Sequence, residues 1–134
     1  MPGATKSSVD DPISVAKKNY RAYVDKDRAA IEQLVTRDFH FSTPLDSRID
    51  RQTYCARCWP NSAYLRDFKL VHLVEDGNRV FVTYEGSSDR GNAFRNTEIL
   101  TVRDGKIVDV EVYFGWSIPH DAPAGGFKNP PNQG

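Results

Sequence analysis

Phe94-Arg-Asn-Thr-Glu-Ile-Leu-Thr-Val-Arg103, then Asp104-Gly105, then Lys106-Ile-Val-Asp-Val-Glu-Val-Tyr-Phe-Gly-Trp116, reads as strand, two-residue turn, strand. Successive side chains on a strand point to opposite faces. In the first run Phe94, Asn96, Glu98, Leu100 and Val102 share a face, while Arg95, Thr97, Ile99, Thr101 and Arg103 form a mostly polar face that suits water. In the second, Val108, Val110, Val112, Phe114 and Trp116 oppose Asp109, Glu111 and Tyr113. Glu98 breaks the pattern by placing a carboxylate on the apolar face, where a bare charge is expensive. A carboxylic acid aimed at a core or cavity is a candidate for chemistry. Desolvated without a cationic partner, it holds its proton to higher pH. It can then donate a hydrogen bond to a carbonyl oxygen or serve as a general acid.

The same pattern extends towards the N-terminus. Glu75-Asp-Gly-Asn78, Asp89-Arg-Gly-Asn92 and Arg103-Asp-Gly-Lys106 are turn signals, and Gly77, Gly91 and Gly105 fall 14 residues apart both times. Equal spacing with tight turns predicts an antiparallel meander with strands near 64–75, 79–88, 93–103 and 106–118. Strands of that length in a small domain must twist and coil. Before them, Asp11-Pro12 starts a helix, Asp suiting the N-cap and Pro the first helical position. Ile13, Ala16, Tyr20, Tyr23 and Val24 make its apolar stripe. Asp27 caps a second helix with the stripe Ala30, Ile31, Leu34 and Val35. Phe39, Phe41, Thr43 and Leu45 alternate with polar residues as a short strand ending near Pro44. Asp50 caps a third helix from Arg51 to about Cys58, stopped by Pro60. Helices gathered on one face of such a sheet give an α+β fold. The reading is a leader at 1–10, one domain at 11–118 and an irregular, mobile tail at 119–134 rich in Pro, Gly and Asn.

The bulk composition narrows the classes of function. The chain has 134 residues, with 18 Lys+Arg against 18 Asp+Glu. That length suits one domain with a real core. Zero net charge argues against nucleic acid as the main partner. No apolar run approaches the roughly 18 residues of a membrane span, and the first residues lack the apolar stretch of a secretory signal, so the cytoplasm is the default compartment. Cys55 and Cys58 form a lone C-x-x-C without the second pair that zinc wants. They read as two small buried hydrophobes. No phosphate-binding glycine motif and no His/Glu metal spacing occurs, so no cofactor is expected.

Three short helices, a strand ending in Pro and a long coiled meander resemble the NTF2-like superfamily, which includes ketosteroid isomerases, SnoaL-like polyketide cyclases and limonene epoxide hydrolases. The resemblance runs from about Ile13 to Trp116. It is carried by Tyr20-Arg-Ala-Tyr-Val-Asp-Lys-Asp27, Phe39-His-Phe-Ser-Thr-Pro-Leu45 and Val102 to Trp116. It implies a cone-shaped fold, with three N-terminal helices packed on the concave face of a highly curved antiparallel sheet around a mostly apolar cavity. It also implies roles. Tyr20 resembles the tyrosine that donates to a developing oxyanion. Glu98 falls where the isomerases keep an acid protonated in the same oxyanion hole. Thr43 falls where they place a general-base aspartate, and a threonine hydroxyl cannot act as that base.

The local reading independently turns Tyr20, Thr43 and Glu98 inward, and convergent polar groups in an apolar cleft mark a small-molecule site. His72 shares a parity with Phe68, Leu70 and Val74, and Asp46 follows Leu45 near the predicted mouth. These two are the candidate bases, each with a bland alternative as a core histidine or a loop aspartate. Phe41, Thr43, Trp59, Val82, Leu100, Val112, Phe114 and Trp116 are the expected ligand-facing set. The expected partners are a small apolar ligand and a second copy of the chain, docked through the convex face that carries Ile99, Glu111 and Tyr113. Two functions stay open. One is an isomerase, cyclase or hydratase acting on an apolar carbonyl compound through Tyr20 and Glu98. The other is a non-catalytic binding or dimerisation module in which Glu98 is a structural acid.

Overall fold

The structure is a computed structural model that describes residues 11–127; the expected leader and the last part of the tail lie outside the described residues. Helix α1 (Pro12–Val24) begins where Asp11 Oδ1 accepts the Ser14 amide at 2.8 Å, and α2 (Arg28–Leu34) begins where Asp27 accepts the Ala30 amide at 3.1 Å. These bonds satisfy amides that a helix start leaves without intrahelical partners. Strand β1 (Val35–Thr43) and strand β2 (Asp46–Asp50) form a hairpin. A short α3 (Arg51–Thr53), capped by Asp50, widens into a π-helical stretch (Tyr54–Cys58) and tightens into a 3-10 stretch (Trp59–Tyr64). Strands β3 (Leu65–Asp76), β4 (Arg79–Ser88), β5 (Ala93–Arg103) and β6 (Lys106–Ser117) complete the chain, and 118–127 is irregular.

The curved, unclosed sheet has the order β2-β1-β6-β5-β4-β3. The expected meander holds, but the sheet is mixed, because β1 runs parallel to β6. Val35, expected on the α2 stripe, opens β1 and is buried there. The β5–β6 turn puts both Asp104 and Gly105 at positive φ (52° and 77°), the turn whose twist matches paired strands.

Helices α1 and α2 and the segment 51–64 lie against one face of the sheet. The core there is fully buried at Phe39, Ile31, Leu100, Ile107, Val15, Val80 and Val82. Cross-strand register stacks this inner face into rungs: Leu73–Val82–Glu98–Val112, then Leu70–Tyr84–Asn96–Phe114. Two slips in register re-aim side chains. An extra residue at Val71 shifts β3 against β4 between Leu70 and His72. An extra residue in β6 shifts it between its Ile107 and Asp109 pairings, which puts Ile107 in the core and leaves Val108 half-buried. Such bulges reverse the face that alternation assigns. Among the described residues no helix is long and apolar enough to cross a membrane.

Candidate functional site

Glu98 sits mid-strand on β5, between Val82 of β4 and Val112 of β6. Both of its oxygens accept a phenol: Tyr20 donates to Oε1 at 2.9 Å and Tyr84 to Oε2 at 2.7 Å. Tyr84 in turn accepts from Asn96 Nδ2 at 3.3 Å, and Asn96 Oδ1 accepts the Gly115 amide at 3.0 Å. The chain of bonds therefore runs from helix α1 through β4 and β5 to the backbone of β6. Gly115 is required for this closure, since a Cβ there would lie 1.9 Å from the Arg95 carbonyl oxygen. Aromatic rings wall the group: Phe68 meets Tyr20 edge-on at 5.1 Å and Tyr84 edge-on at 4.8 Å.

Burial raises the Glu98 carboxyl above the ordinary glutamate range, against the two phenol hydrogen bonds, which lower it. Among the described residues no lysine, arginine or histidine side chain contacts it. Burial, and then the charge of Glu98, holds the Tyr20 and Tyr84 phenols well above their usual range. The net effect is a carboxyl that holds its proton to higher pH than an exposed glutamate does. A protonated Oε1 would donate to the Tyr20 oxygen and free the Tyr20 hydroxyl proton for another acceptor. Tyr84 is less free, because its oxygen already accepts from Asn96.

The structure brings Tyr20 and Glu98 together. It does not bring His72 to them: the Val71 bulge turns His72 onto the outer face, exposed and opposite Thr83, and puts Leu73 inward in its place. Val74, given the same inward parity, is likewise exposed. Asp46 is the first residue of β2, three-quarters buried, with Arg57 loosely paired at 3.9 Å. Its charge, after burial, helps push the Cys58 thiol up. Thr43 Oγ1 is engaged locally, accepting the Leu45 amide at 2.9 Å. Phe41 packs on Tyr54, and Trp59 on Tyr23. Val82 and Leu100 have no accessible surface and Val112 very little, so they form the floor behind the site and not a ligand-facing wall. Phe114 and Trp116 are about half exposed at the open end of the sheet, where Trp116 stacks on His120. The register slip around Gly115 takes Trp116 out of the expected alternation.

Two members of the network carried no expected role. Asn96 was legible as an inner-face residue beside Glu98. Tyr84 had a usable signal, since it shares strand parity with Val80 and Val82 and the β4–β5 turn sets it opposite Asn96.

A hollow of about 990 Å³ lies beside the network without enclosing Glu98. It is an open groove between α1, α2, β3 and the β5–β6 turn, with Lys17, Arg21, Asp25 and Asp67 among its charged walls. Tyr20 and Phe68 belong to both the groove and the aromatic wall of the network, whereas Glu98 does not line the groove. Hydrogen-bond geometry, not hollow size, therefore defines the candidate site.

This architecture has known counterparts. The model of the SnoaL-like domain matches residues 16–110. The chain belongs to the SnoaL-like domain family. Among solved structures, a Kribbella flavida protein shares 22% identity at a TM-score of 0.70, covering 77% of this chain and 85% of that one. A candidate ketosteroid isomerase from Kribbella flavida shares 15% at 0.68, covering 92% and 84%. An epoxide hydrolase from M. tuberculosis shares 18% at 0.66, covering 81% and 85%. At these identities the likeness shows the fold, an NTF2-like α+β cone, and leaves the activity of this SnoaL-like chain to its own residues. No curated protein matches it.

Proposed function

We propose that this SnoaL-like protein binds an apolar carbonyl compound at the Tyr20–Glu98 pair and acts on it as an isomerase, cyclase or hydratase. The observation that carries the proposal is a desolvated carboxylic acid held by two tyrosine hydroxyls, with no cation in contact, on the inner face of the sheet. Tyr20, relayed by protonated Glu98, would donate to the substrate oxygen as negative charge develops there, the electrostatic role that usually contributes most to catalysis. Tyr84 and Asn96 would hold Glu98 in place. With His72 facing outward, Asp46 is the proton acceptor this reading uses. The structural neighbours named as isomerase and epoxide hydrolase are compatible with oxygen-directed acid chemistry.

A second reading has its own support. Both Glu98 oxygens are already satisfied by protein groups, and aromatic rings crowd the space beside them. A binding or dimerisation module would look this way. In both readings the outer sheet face, with Ile99 paired to Glu111 and a half-exposed Tyr113, is the proposed homodimer surface.

A thermal-shift screen with steroids, small lactones and aromatic polyketides, repeated on Glu98→Gln, tests the first reading. A true ligand at a hundredfold excess over its dissociation constant adds about 2.7 kcal/mol. A ligand that shifts wild type and loses that shift in Glu98→Gln supports the proposal. A panel that shifts neither protein would sink it.

A further inference from the structure

Helix α1 carries one polar side chain in the middle of its buried face. Val15 and Ala16 precede Asn19 by four and three residues, and Ala22 and Tyr23 follow by three and four. At 3.6 residues per turn, Asn19 falls near the centre of the arc bounded by Ala22 on one side and Tyr20 on the other. It is 6% exposed. Its neighbours on that arc mark where it looks: Tyr20 packs on β3 and β4 through Phe68 and Tyr84, and Tyr23 packs on Trp59. Asn19 lies near the centre of the buried face, beside Tyr23 and on the side of it away from Tyr20.

Its amide has no hydrogen-bond partner among the described residues. Nor is it sealed off, because Arg51 Nε is the one fully enclosed side-chain donor or acceptor left unpaired among them. The Asn19 amide therefore still reaches accessible space, though the residue is almost wholly buried. Asn96 shows what a structural asparagine looks like in this fold, with its nitrogen on Tyr84 and its oxygen on the Gly115 amide. A buried amide with two donors and an acceptor idle is costly to keep. A leucine of similar size would fill the same place without that cost.

We propose that Asn19 is a ligand-contacting, specificity-determining residue, its amide reserved for a second oxygen of the ligand beyond the one held by Tyr20. The inference rests on the proposed Tyr20–Glu98 site and names its ligand class: an apolar compound with two oxygen functions close together, hydroxyl or carbonyl. A ligand with a single oxygen leaves Asn19 unpaired and gives up the corresponding affinity.

Fluorescence titration of wild type and Asn19→Leu with 2-naphthol and with 1,3-dihydroxynaphthalene tests this, alongside the melting temperature of each ligand-free protein. Wild type should prefer the diol by about tenfold, the equivalent of one added hydrogen bond. Asn19→Leu should lose that preference, bind 2-naphthol as before, and melt at the same or a higher temperature when empty. Equal affinity for both probes in wild type, or a preference that survives in Asn19→Leu, overturns the role of Asn19 alone. A lowered melting temperature with both probes weakened alike overturns it too, since that is the signature of a structural amide. Failure of wild type to bind either probe brings down the pocket itself, and this inference with it.

Discussion

Glu98 and Glu111 stand on neighbouring strands of one sheet and point to opposite faces, and each accepts a tyrosine hydroxyl. Tyr84 donates to Glu98 at 2.7 Å on the inner face, and Tyr113 to Glu111 at 2.8 Å on the outer. The bonds are alike in geometry. Their surroundings are not: Tyr84 is 4% exposed and Tyr113 53%. Burial is the main cause that raises the Tyr84 phenol, while for Tyr113 it is the hydrogen bond to Glu111. The same pair of groups becomes a proton-holding device on one face and a solvated contact on the other. Desolvation makes the difference, because a buried polar group left unpaired costs far more than an exposed one.

The sharpest way to break the inner arrangement is through its anchor. Gly115→Ala should cost about 3 kcal/mol in chemical denaturation, the upper range for overpacking, because the added methyl collides with the backbone of β5. An alanine there with wild-type stability would mean that β5 and β6 can part easily at this point. Tyr84→Phe comes next. It strands Glu98 Oε2 and should cost about 2 kcal/mol. A loss near zero would show that water takes the place of the phenol and that the site is wet.

Smaller again is the titration of Glu98 itself. Its folded carboxyl holds the proton more tightly than the ordinary value of 4.5. The stability it contributes is therefore fully present below about that pH and is lost as pH rises through the elevated folded value. The melting-temperature advantage of wild type over Glu98→Gln should shrink from acid towards neutral pH, since glutamine does not titrate. An advantage that grows with pH would mean that the carboxylate is stabilised as an anion. Exposed Asp38 has the opposite sign. The Thr36 hydroxyl and then Arg103 hold it at about 2, so what it contributes is present above the ordinary aspartate value of 3.8 and lost as pH falls towards 2. The smallest effect belongs to Tyr113→Phe, under about 0.5 kcal/mol in the monomer. A dissociation constant for self-association that weakens in this variant would instead support the outer face as the dimer surface.

Much of this comparison was legible in the residues. The caps Asp11, Asp27 and Asp50 have local chemistry that announces itself, and the four meander strands fall within a residue of the turn-based reading. Strand β2 was not legible, since Asp46-Ser-Arg-Ile-Asp50 offers Ile49 as its only apolar residue and forms because the chain turns back at Pro44-Leu45. The parallel β1–β6 pairing was hidden too, as alternation shows which face a residue takes and not which strand lies beside it. The third helix changes pitch before Pro60, and the Trp59 amide reaches back five residues to the Tyr54 carbonyl. At the site, Glu98 and Tyr20 were found because each is a polar group on an apolar stripe. His72 was misplaced because a bulge adds one residue, and one residue inverts a strand.

That extra residue at Val71 matters beyond His72. Strand β3 ends the sheet, so one side of its twelve residues pairs with no strand among the described residues. A flat border of that length is a template onto which another molecule could add a strand and begin a fibril. The kink interrupts its run of free amides and carbonyls, and Arg66, Lys69, Glu75 and Asp76 scatter charge along it. The bulge that turns His72 away from the interior is thus also what breaks the regularity of this border.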